Sequence, residues 1–212
     1  MISTQLASKN DANESGGSIK GVAVAIVTQN KDDQGLCRVK VRYPWHNQPR
    51  ESYWARIATP MAGKERGMVM IPEIGDEVLV AFEKEDIRFP YVLGGLWNGQ
   101  DKPPEKNGDG KNDKRLWKTR KKHYLLFDDG SKGVVELCHE KGRKITLDDT
   151  GFTVRDEKGN SVSVDSNSGA MTLEAKGQLK IKAATISIES SGTVEIKAGA
   201  TLTIRGSLVN IN

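Results

Sequence analysis

The second half of the chain repeats a short pattern. From Ile145 onward, apolar residues come as pairs two positions apart, and the first members of successive pairs are 7 to 10 residues apart. Side chains two positions apart share one face of a β-strand, so each pair marks a short strand with one apolar face. Gly, Asn, Ser or Asp commonly fall between the pairs, where turns are needed. The pairs are Ile145/Leu147, Phe152/Val154, Val162/Val164, Met171/Leu173, Leu179/Ile181, Ile186/Ile188, Val194/Ile196, Leu202/Ile204 and Val209/Ile211.

A strand with two apolar side chains on one face cannot form a core alone. A repeat of about eight residues is also too short for a single-chain β-helix, whose coils have three faces per turn. Three identical chains are the smallest number that encloses an axis, so the repeat predicts a trimeric β-prism. An intramolecular sandwich of short strands is the alternative. The predicted trimer core is Ile145, Leu147, Phe152, Val154, Val162, Val164, Met171, Leu173, Leu179, Ile181, Ile186, Ile188, Val194, Ile196, Leu202 and Ile204, and the residues between pair members, such as Thr146 and Ser187, are expected to face water.

The first half has the pattern of a small β-barrel. A β-branched run over 19–29 is followed by a turn signal and by LCRVKVRYPW (36–45), which alternates with period two and so predicts a half-buried strand. One face of this strand has Cys37, Val39, Val41 and Tyr43, and the other has Leu36, Arg38, Lys40 and Arg42. About five or six short strands in about 80 residues favour an OB-fold. The fold class is therefore predicted as all-β, with a flexible N-terminus over 1–18, an OB-fold-like barrel over 19–100 and an intertwined trimeric β-helix over 124–212. The trimeric part is expected to open with a hairpin over 124–139.

The positive charge is concentrated in one segment. The chain has 212 residues and a net charge of +4, but residues 101–123 contain nine basic and four acidic residues, a net +5. The rest has 23 basic against 24 acidic residues. This segment is rich in Pro, Gly, Asn and Lys, so it is predicted to be a basic linker, at least over 101–114. A basic stripe that engages nucleic acid or an anionic surface is the alternative.

The sequence contains no pattern typical of an enzyme or a metal site. Cys37 and Cys138 are far apart and form no CxxC, and no P-loop, GxSxG or HExxH occurs. The run Glu136, Cys138, His139 is disfavoured as a site because neighbouring strand residues point to opposite faces. No catalytic residue, cofactor or metal is predicted. No apolar run is long enough for a membrane helix, and no secretory signal is expected.

A single-stranded nucleic-acid-binding OB-fold is the leading alternative function. Tyr43, Trp45, Tyr53 and Trp54 lie among basic residues on barrel strands, and stacking with phosphate contacts could bind a nucleic acid. Tyr53 and Trp54 must alternate faces, however, and this function leaves the repeated second half without a role. We therefore expect no nucleic-acid partner.

Four segments carry a family resemblance. RVKVRYPWHN (38–47), SYWARIATPMAGKERGMVMIPEIGDEVLVAFE (52–83), FPYVLGGLWNGQDKPP (89–104) and IRGSLVNIN (204–212) resemble VgrG-type and phage baseplate V-type spike proteins. These form the central needle of contractile injection systems: phage tails, type VI secretion and extracellular tail-like particles. The resemblance covers roughly residues 20–212 and implies a structural, non-enzymatic, membrane-puncturing spike with an OB-fold below the baseplate hub and a trimeric β-helix beyond it.

The resemblance also implies partners. They are two further copies in a homotrimer, a separate baseplate hub protein, a PAAR-type cap at the C-terminal tip, indirectly the inner tube, and the target membrane on firing. The family's H-x-H metal motif is absent near the C-terminus, which leaves Leu208, Val209, Asn210, Ile211 and Asn212 as the expected cap-docking tip. The hub region and the lysozyme of some relatives are also missing, so the hub is expected on a separate chain unless this chain is a fragment.

Assembly is expected in the bacterial cytoplasm, with delivery to the target envelope on contraction.

Overall fold

The computed structural model describes residues 19–47 and 51–211. The predicted flexible segment 1–18 and the last tip residue, Asn212, lie outside the described residues. The chain divides into two units, with the boundary between Lys106 and Asn107. Described secondary structure is almost entirely β-strand, with one short 3-10 turn at Glu83–Glu85, so the predicted all-β class is confirmed.

The first unit is built on a five-stranded sheet in the order β2-β1-β6-β7-β3. Its neighbours are antiparallel except for β3 and β7, which run parallel. The predicted pairing of residues 36–45 back onto the first strand is confirmed by Ile26 opposite Arg42, although the strand itself is short. The strands are β1 (Val22–Gln29), β2 (Lys40–Arg42), β3 (Arg56–Ile57), β6 (Glu77–Phe82) and β7 (Pro90–Gly95), and a separate small hairpin is formed by β4 (Ala62–Gly63) and β5 (Arg66–Gly67).

Backbone bridges join the two ends of this sheet. Val39 precedes β2 and Ala55 precedes β3, and each donates its N–H to the carbonyl of the other at 3.0 and 2.7 Å. The strand order therefore closes on itself, as in a small barrel. The interior is filled by side chains that are at most 8% exposed, and these are Ala25, Val27, Val39, Val41, Tyr43, Ala55, Val78, Val80 and Val92.

The second unit begins with a seven-stranded antiparallel meander in which every strand pairs with its neighbours in sequence. The predicted hairpin is confirmed, since β9 and β10 pair with Asp128 opposite Val134. The first strand, β8, starts at the last residue of the minimal linker, 101–114. The strands are β8 (Lys114–Lys118), β9 (Tyr124–Asp128), β10 (Val134–Cys138), β11 (Lys144–Asp148), β12 (Gly151–Arg155), β13 (Ser161–Asp165) and β14 (Ala170–Glu174).

Short turns with acidic residues connect these strands. The Asp128 carboxylate accepts the N–H of Gly130, and the Asp148 carboxylate accepts the N–H of Thr150. Such local side-chain bonds are the reason Asp is frequent in turns. Gly151 follows with φ +148°, and a Cβ there would lie 1.9 Å from the carbonyl oxygen of Val164. Only glycine fits this close approach.

The meander ends at Glu174. Residues 175–211 contain no strand paired within the chain, and every one of them is exposed. The first four repeat pairs thus lie on β11 to β14, whereas the last five lie in a segment whose backbone finds no partner strand in a single copy. Within the residues described, no helix is long and apolar enough to cross a membrane.

Candidate functional site: an apolar sheet face

Strand register places the repeat pairs in two columns across the second-unit sheet. Directly opposite residues on neighbouring strands share a face and lie about 4.5–5.5 Å apart at Cβ. One column runs Trp117, Leu125, Leu137, Ile145, Val154, Val162, Leu173, and the other runs Phe127, Val135, Leu147, Phe152, Val164, Met171. We call this surface the apolar face. It extends the predicted core back to β8, β9 and β10.

The apolar face has no cover in the single chain. Its most exposed members range from Phe152 at 38% to Met171 at 71%, whereas the interior side chains of the first unit are at most 8% exposed. An open groove of about 980 Å³ runs along one column, and its apolar lining includes Leu137, Ile145, Val154, Val162 and Leu173. A contiguous exposed apolar surface of this kind marks an interaction site in a soluble protein.

The same pattern continues beyond the sheet. The remaining predicted core residues are between 53% and 73% exposed, and they are Leu179, Ile181, Ile186, Ile188, Val194, Ile196, Leu202 and Ile204. In the predicted tip, Leu208 is 77% exposed, Val209 48% and Ile211 87%, and Asn210 between them is also exposed. In a single chain, the apolar residues of the predicted core beyond the sheet and of the predicted tip are therefore exposed to water.

The opposite face of the sheet contains a polar network around Glu136. Its carboxylate accepts hydrogen bonds from the Tyr124 hydroxyl, the Lys144 ammonium and the Thr146 hydroxyl, the last at 3.0 Å. Glu136 is 7% exposed, and Cys138 beside it on this face is 8% exposed. The sheet thus shelters a polar cluster while it exposes its apolar face. Thr146 was expected to face water, and here it is half-buried against Glu136.

The network sets the ionisation of its members. Burial opposes the ionisation of Glu136, but the bonds from Lys144, Tyr124 and Thr146 outweigh it and hold the pKa below its ordinary value. The hydrogen bond to this carboxylate, with burial, raises the pKa of Tyr124 well above its ordinary value. Glu136 is therefore an ionised carboxylate paired with a cation at neutral pH.

The two second-unit histidines contact each other. The rings of His123 and His139 lie 4.5 Å apart between centroids, and their Nδ1 atoms accept the backbone N–H groups of Glu140 and Lys141. Cys138 is the last residue of β10 and His139 follows it, and the Cys138 thiol donates to the His139 carbonyl. Among the described residues, no group of three or more His, Cys, Asp or Glu is placed to hold a metal ion.

The aromatic residues of the nucleic-acid alternative do not form one surface. Tyr43 is buried and donates to the Ile87 carbonyl, while the Trp45 indole donates to the Val24 carbonyl. Tyr53 stacks on Phe89 at 5.3 Å between centroids. The Trp54 ring has the Lys40 ammonium at 5.2 Å and the Arg38 guanidinium at 5.7 Å from its centroid. Cations of the chain itself therefore lie over the Trp54 ring.

Sequence reasoning missed the Glu136 network and the His123–His139 contact. Both join residues 8 to 16 positions apart, and both depend on which strands pair and in which register. The period-two spacing of Tyr124 and Leu126, and of Glu136 and Cys138, indicated the faces of β9 and β10. The Asp-containing turn between β9 and β10 also predicted that these two strands pair. Together, these two signals could have predicted that Tyr124 and Glu136 lie close to each other.

Comparison with known families concerns mainly the first unit. Residues 23–97 match the family model described as the Type VI secretion system/phage-baseplate injector OB domain. This match covers the strands from β1 to β7 and confirms the predicted OB-like domain, which is followed by a β-rich region.

Similar curated proteins include several spike proteins. The actin cross-linking toxin VgrG1 of Vibrio cholerae is 25% identical over 193 residues, which is 82% of this chain and 18% of that protein. The type VI secretion system spike protein VgrG1c of Pseudomonas aeruginosa is 34% identical over 94 residues, 41% of this chain and 13% of that protein. VgrG3 of Vibrio cholerae, also named a type VI secretion system spike protein, is 30% identical over 94 residues, 41% of this chain and 9% of that protein.

The chain therefore spans less than a fifth of these relatives. The resemblance to VgrG-type and baseplate V-type spike proteins is nevertheless confirmed, since both the family match and the names of these relatives point to it.

Proposed function

We propose that this chain is the structural central spike of a contractile injection apparatus and that it works as a homotrimer. The observation that carries the proposal is the apolar face, which continues as exposed apolar pairs through residues 179–204 of a chain that also contains an injector OB domain. An apolar face of this length needs cover, and copies of the same chain offer the same repeat in the same register.

Trimerisation would bury both parts of the repeated half. Over β8 to β14 the meander already pairs its own backbone, so two further copies need only cover its apolar face. Over 175–211 the backbone has no strand partner in the chain, so the other copies must supply hydrogen bonds as well as apolar contacts. The proposed trimer core is therefore the set of sixteen residues from Ile145 to Ile204 predicted from the repeat.

The proposed domain limits are those predicted from the sequence, and β8 within the connector pairs with the first strand of the β-helix region. We propose that 19–100 is the barrel below the hub, 101–123 the basic connector with β8 at its end, and 124–212 the trimeric β-helix. A separate hub protein would hold the barrel end, and the inner tube would be reached through that hub. Residues Leu208 to Asn212 would receive a PAAR-type cap, since three copies of this apolar end would present one blunt apolar surface.

The proposed action is mechanical. Contraction would drive the spike from its particle, assembled in the bacterial cytoplasm, against the envelope of a target cell. Interlocked chains whose backbone bonds run along the axis resist unfolding under load and leave no open sheet edge along the sides. No catalytic group, cofactor or metal is needed for this action. The activity that names the Vibrio cholerae toxin VgrG1 is not extended to this chain, which spans 18% of it.

Co-purification with a baseplate hub protein and a PAAR-type cap protein from the same organism tests the role in a spike. We expect a complex of hub, three copies of this chain and cap that survives gel filtration. A chain that binds neither partner, or binds them as a monomer, would contradict the proposal. Nucleic-acid binding remains a weaker second candidate, because Tyr43 is buried and Trp54 is half-buried, which leaves Trp45 and Tyr53 as the exposed members of the four aromatic residues.

A further inference from the structure

One apolar segment of the first unit lies outside the barrel core. Residues 61–74, MAGKERGMVMIPEI, form the β4–β5 hairpin and the stretch that returns toward β6; we call them the Met-rich segment. Six of their side chains are large, apolar and exposed, between 37% and 70%, and these are Met61, Met68, Val69, Met70, Ile71 and Ile74. Nearly half of the exposed large apolar residues described in the first unit therefore lie within fourteen positions.

The segment is held in place at both ends. Met68 donates its N–H to the Met61 carbonyl at 2.9 Å, and its own carbonyl accepts the Thr59 hydroxyl. Further along, the Pro72 carbonyl accepts the Asn30 side-chain amide at 3.1 Å. Between these anchors, no backbone hydrogen bond from the N–H groups of residues 69–71 is found within the described parts of the chain.

An exposed apolar stretch that is fixed at both ends, and whose N–H groups over 69–71 have no acceptor among the described residues, is typical of a surface that binds a partner. Its three methionines are flexible and polarizable, which suits packing against a surface of irregular shape. Its charged residues are Lys64, Glu65 and Arg66 at the hairpin tip and Glu73 near the end, so they cancel in sign. The chemistry therefore favours an apolar protein surface over a nucleic acid or an anionic membrane.

We propose that the Met-rich segment packs against neighbouring copies of this chain, so that the trimer has a second interface in the OB units. This inference rests on the proposed trimer. Eighteen residues separate the last barrel strand from β8, so joining the second units holds three first units on short tethers. Such tethering gives an effective concentration of about millimolar, at which even a modest apolar contact forms.

Methionine oxidation tests this interface in the full chain. Met61, Met68 and Met70 are 52%, 40% and 48% exposed. If no partner covers the segment, hydrogen peroxide should oxidise each of them at a rate no more than about threefold below that of the unfolded chain. In the trimer we expect each to react about tenfold more slowly than in unfolded chain, as followed by peptide mass spectrometry. Met171 is 71% exposed and belongs to the proposed trimer core, so its oxidation rate in the same sample shows whether the second units have assembled.

The outcomes separate the two proposals. A trimer in which Met171 is protected while the three segment methionines react at near-unfolded rates would overturn this inference and leave the proposed trimer intact. Protection of the segment only after hub protein is added would also overturn it, because the partner would then be the hub. A monomer with all four methionines reactive would contradict both proposals.

A variant supplies the matched comparison. Ile186→Asp with Ile188→Asp, which should block needle assembly without touching the first unit, is expected to restore rapid oxidation of Met61, Met68 and Met70. Continued protection in a monomeric form of this variant would contradict cover by a neighbouring copy. Val69→Glu in the otherwise unchanged chain should also speed oxidation of Met68 and Met70 while Met171 stays protected; unchanged rates would overturn the inference.

Discussion

Ile145 and Val154 lie directly opposite each other on β11 and β12, and each keeps 40% of its surface exposed. Cross-strand apolar pairs stabilise a sheet by about 0.2–1 kcal/mol each, and more when they are also removed from water. The strand register brings the two side chains together, but the single chain does not bury them. The missing burial is the central fact about the second half of the chain.

Charge placed on the apolar repeat should block assembly. Ile186→Asp with Ile188→Asp would put two carboxylates into the proposed trimer core, where each unpaired charge costs several kcal/mol or more. We expect the variant to elute as a monomer or an aggregate in gel filtration. Thr185→Asp with Ser187→Asp places the same charges on alternate positions and should assemble normally. Normal trimers from the first variant would contradict the proposed register.

The Glu136 network should make the sheet sensitive to acid. The pKa of Glu136 is depressed from its ordinary value of 4.5, so its stabilising contribution is present above pH 4.5 and is lost as the pH falls through the lower, folded-state value. Glu136→Gln should lower the unfolding free energy at neutral pH by about 1–3 kcal/mol, because charge-assisted bonds are replaced by neutral ones. Between about pH 5 and 3, the unfolding free energy of this variant should also fall less than that of the unchanged chain.

Thermal unfolding at a series of pH values measures both effects. Glu174→Gln is the control, since Glu174 is an exposed residue of β14 that pairs with exposed Lys176 and should contribute little. An acid-induced loss of stability of equal size in Glu136→Gln and in the unchanged chain would contradict the role given to the network.

Cap binding should depend on the apolar tip. Leu208→Ser with Ile211→Ser removes two side chains that are 77% and 87% exposed, so little stability within the chain is lost. We expect the variant to remain trimeric but to lose co-purification with a PAAR-type cap protein. Asn210→Ser serves as the control and should retain the cap. A cap retained by the doubly substituted tip would place docking elsewhere.

The basic segment should not confer nucleic-acid affinity. Lys121→Gln with Lys122→Gln lowers the +5 charge of residues 101–123 by two, and both side chains are exposed. We expect the unchanged chain to bind single-stranded oligonucleotide only weakly at physiological salt, and the variant to keep its oligomeric mass. Micromolar or tighter affinity that falls steeply with added salt and is reduced in the variant would favour the nucleic-acid function instead.

Sequence patterns predicted the elements whose signals are local. The pairs Ile145/Leu147, Phe152/Val154, Val162/Val164 and Met171/Leu173 each lie on a strand of the meander, because period-two spacing and Asp- or Gly-containing turns determine short antiparallel strands. Alternation also identified Val39, Val41 and Tyr43 as barrel interior. Cys37, expected on the same face, is exposed, with φ +55° in the loop before β2.

Contacts between distant positions were not predictable in the same way. The Val39–Ala55 bridge that closes the barrel and the Glu136–Lys144 pair depend on three-dimensional register, which local composition does not encode. For residues 175–211 the local pattern was clear, but the single chain does not form the predicted strands. Their repeat is as regular as that of the meander, yet no strand in the described parts of the same chain pairs with them. We therefore propose that neighbouring copies supply the strands with which they pair.

The native mass of the full chain tests the central claim most directly. Light scattering coupled to gel filtration should give three times the chain mass of 23.2 kDa, and this mass should persist on dilution because interlocked chains, as proposed, would separate slowly. A clean monomer of 23.2 kDa with a folded second unit would contradict the account, since the apolar face would then be stable in water without other copies.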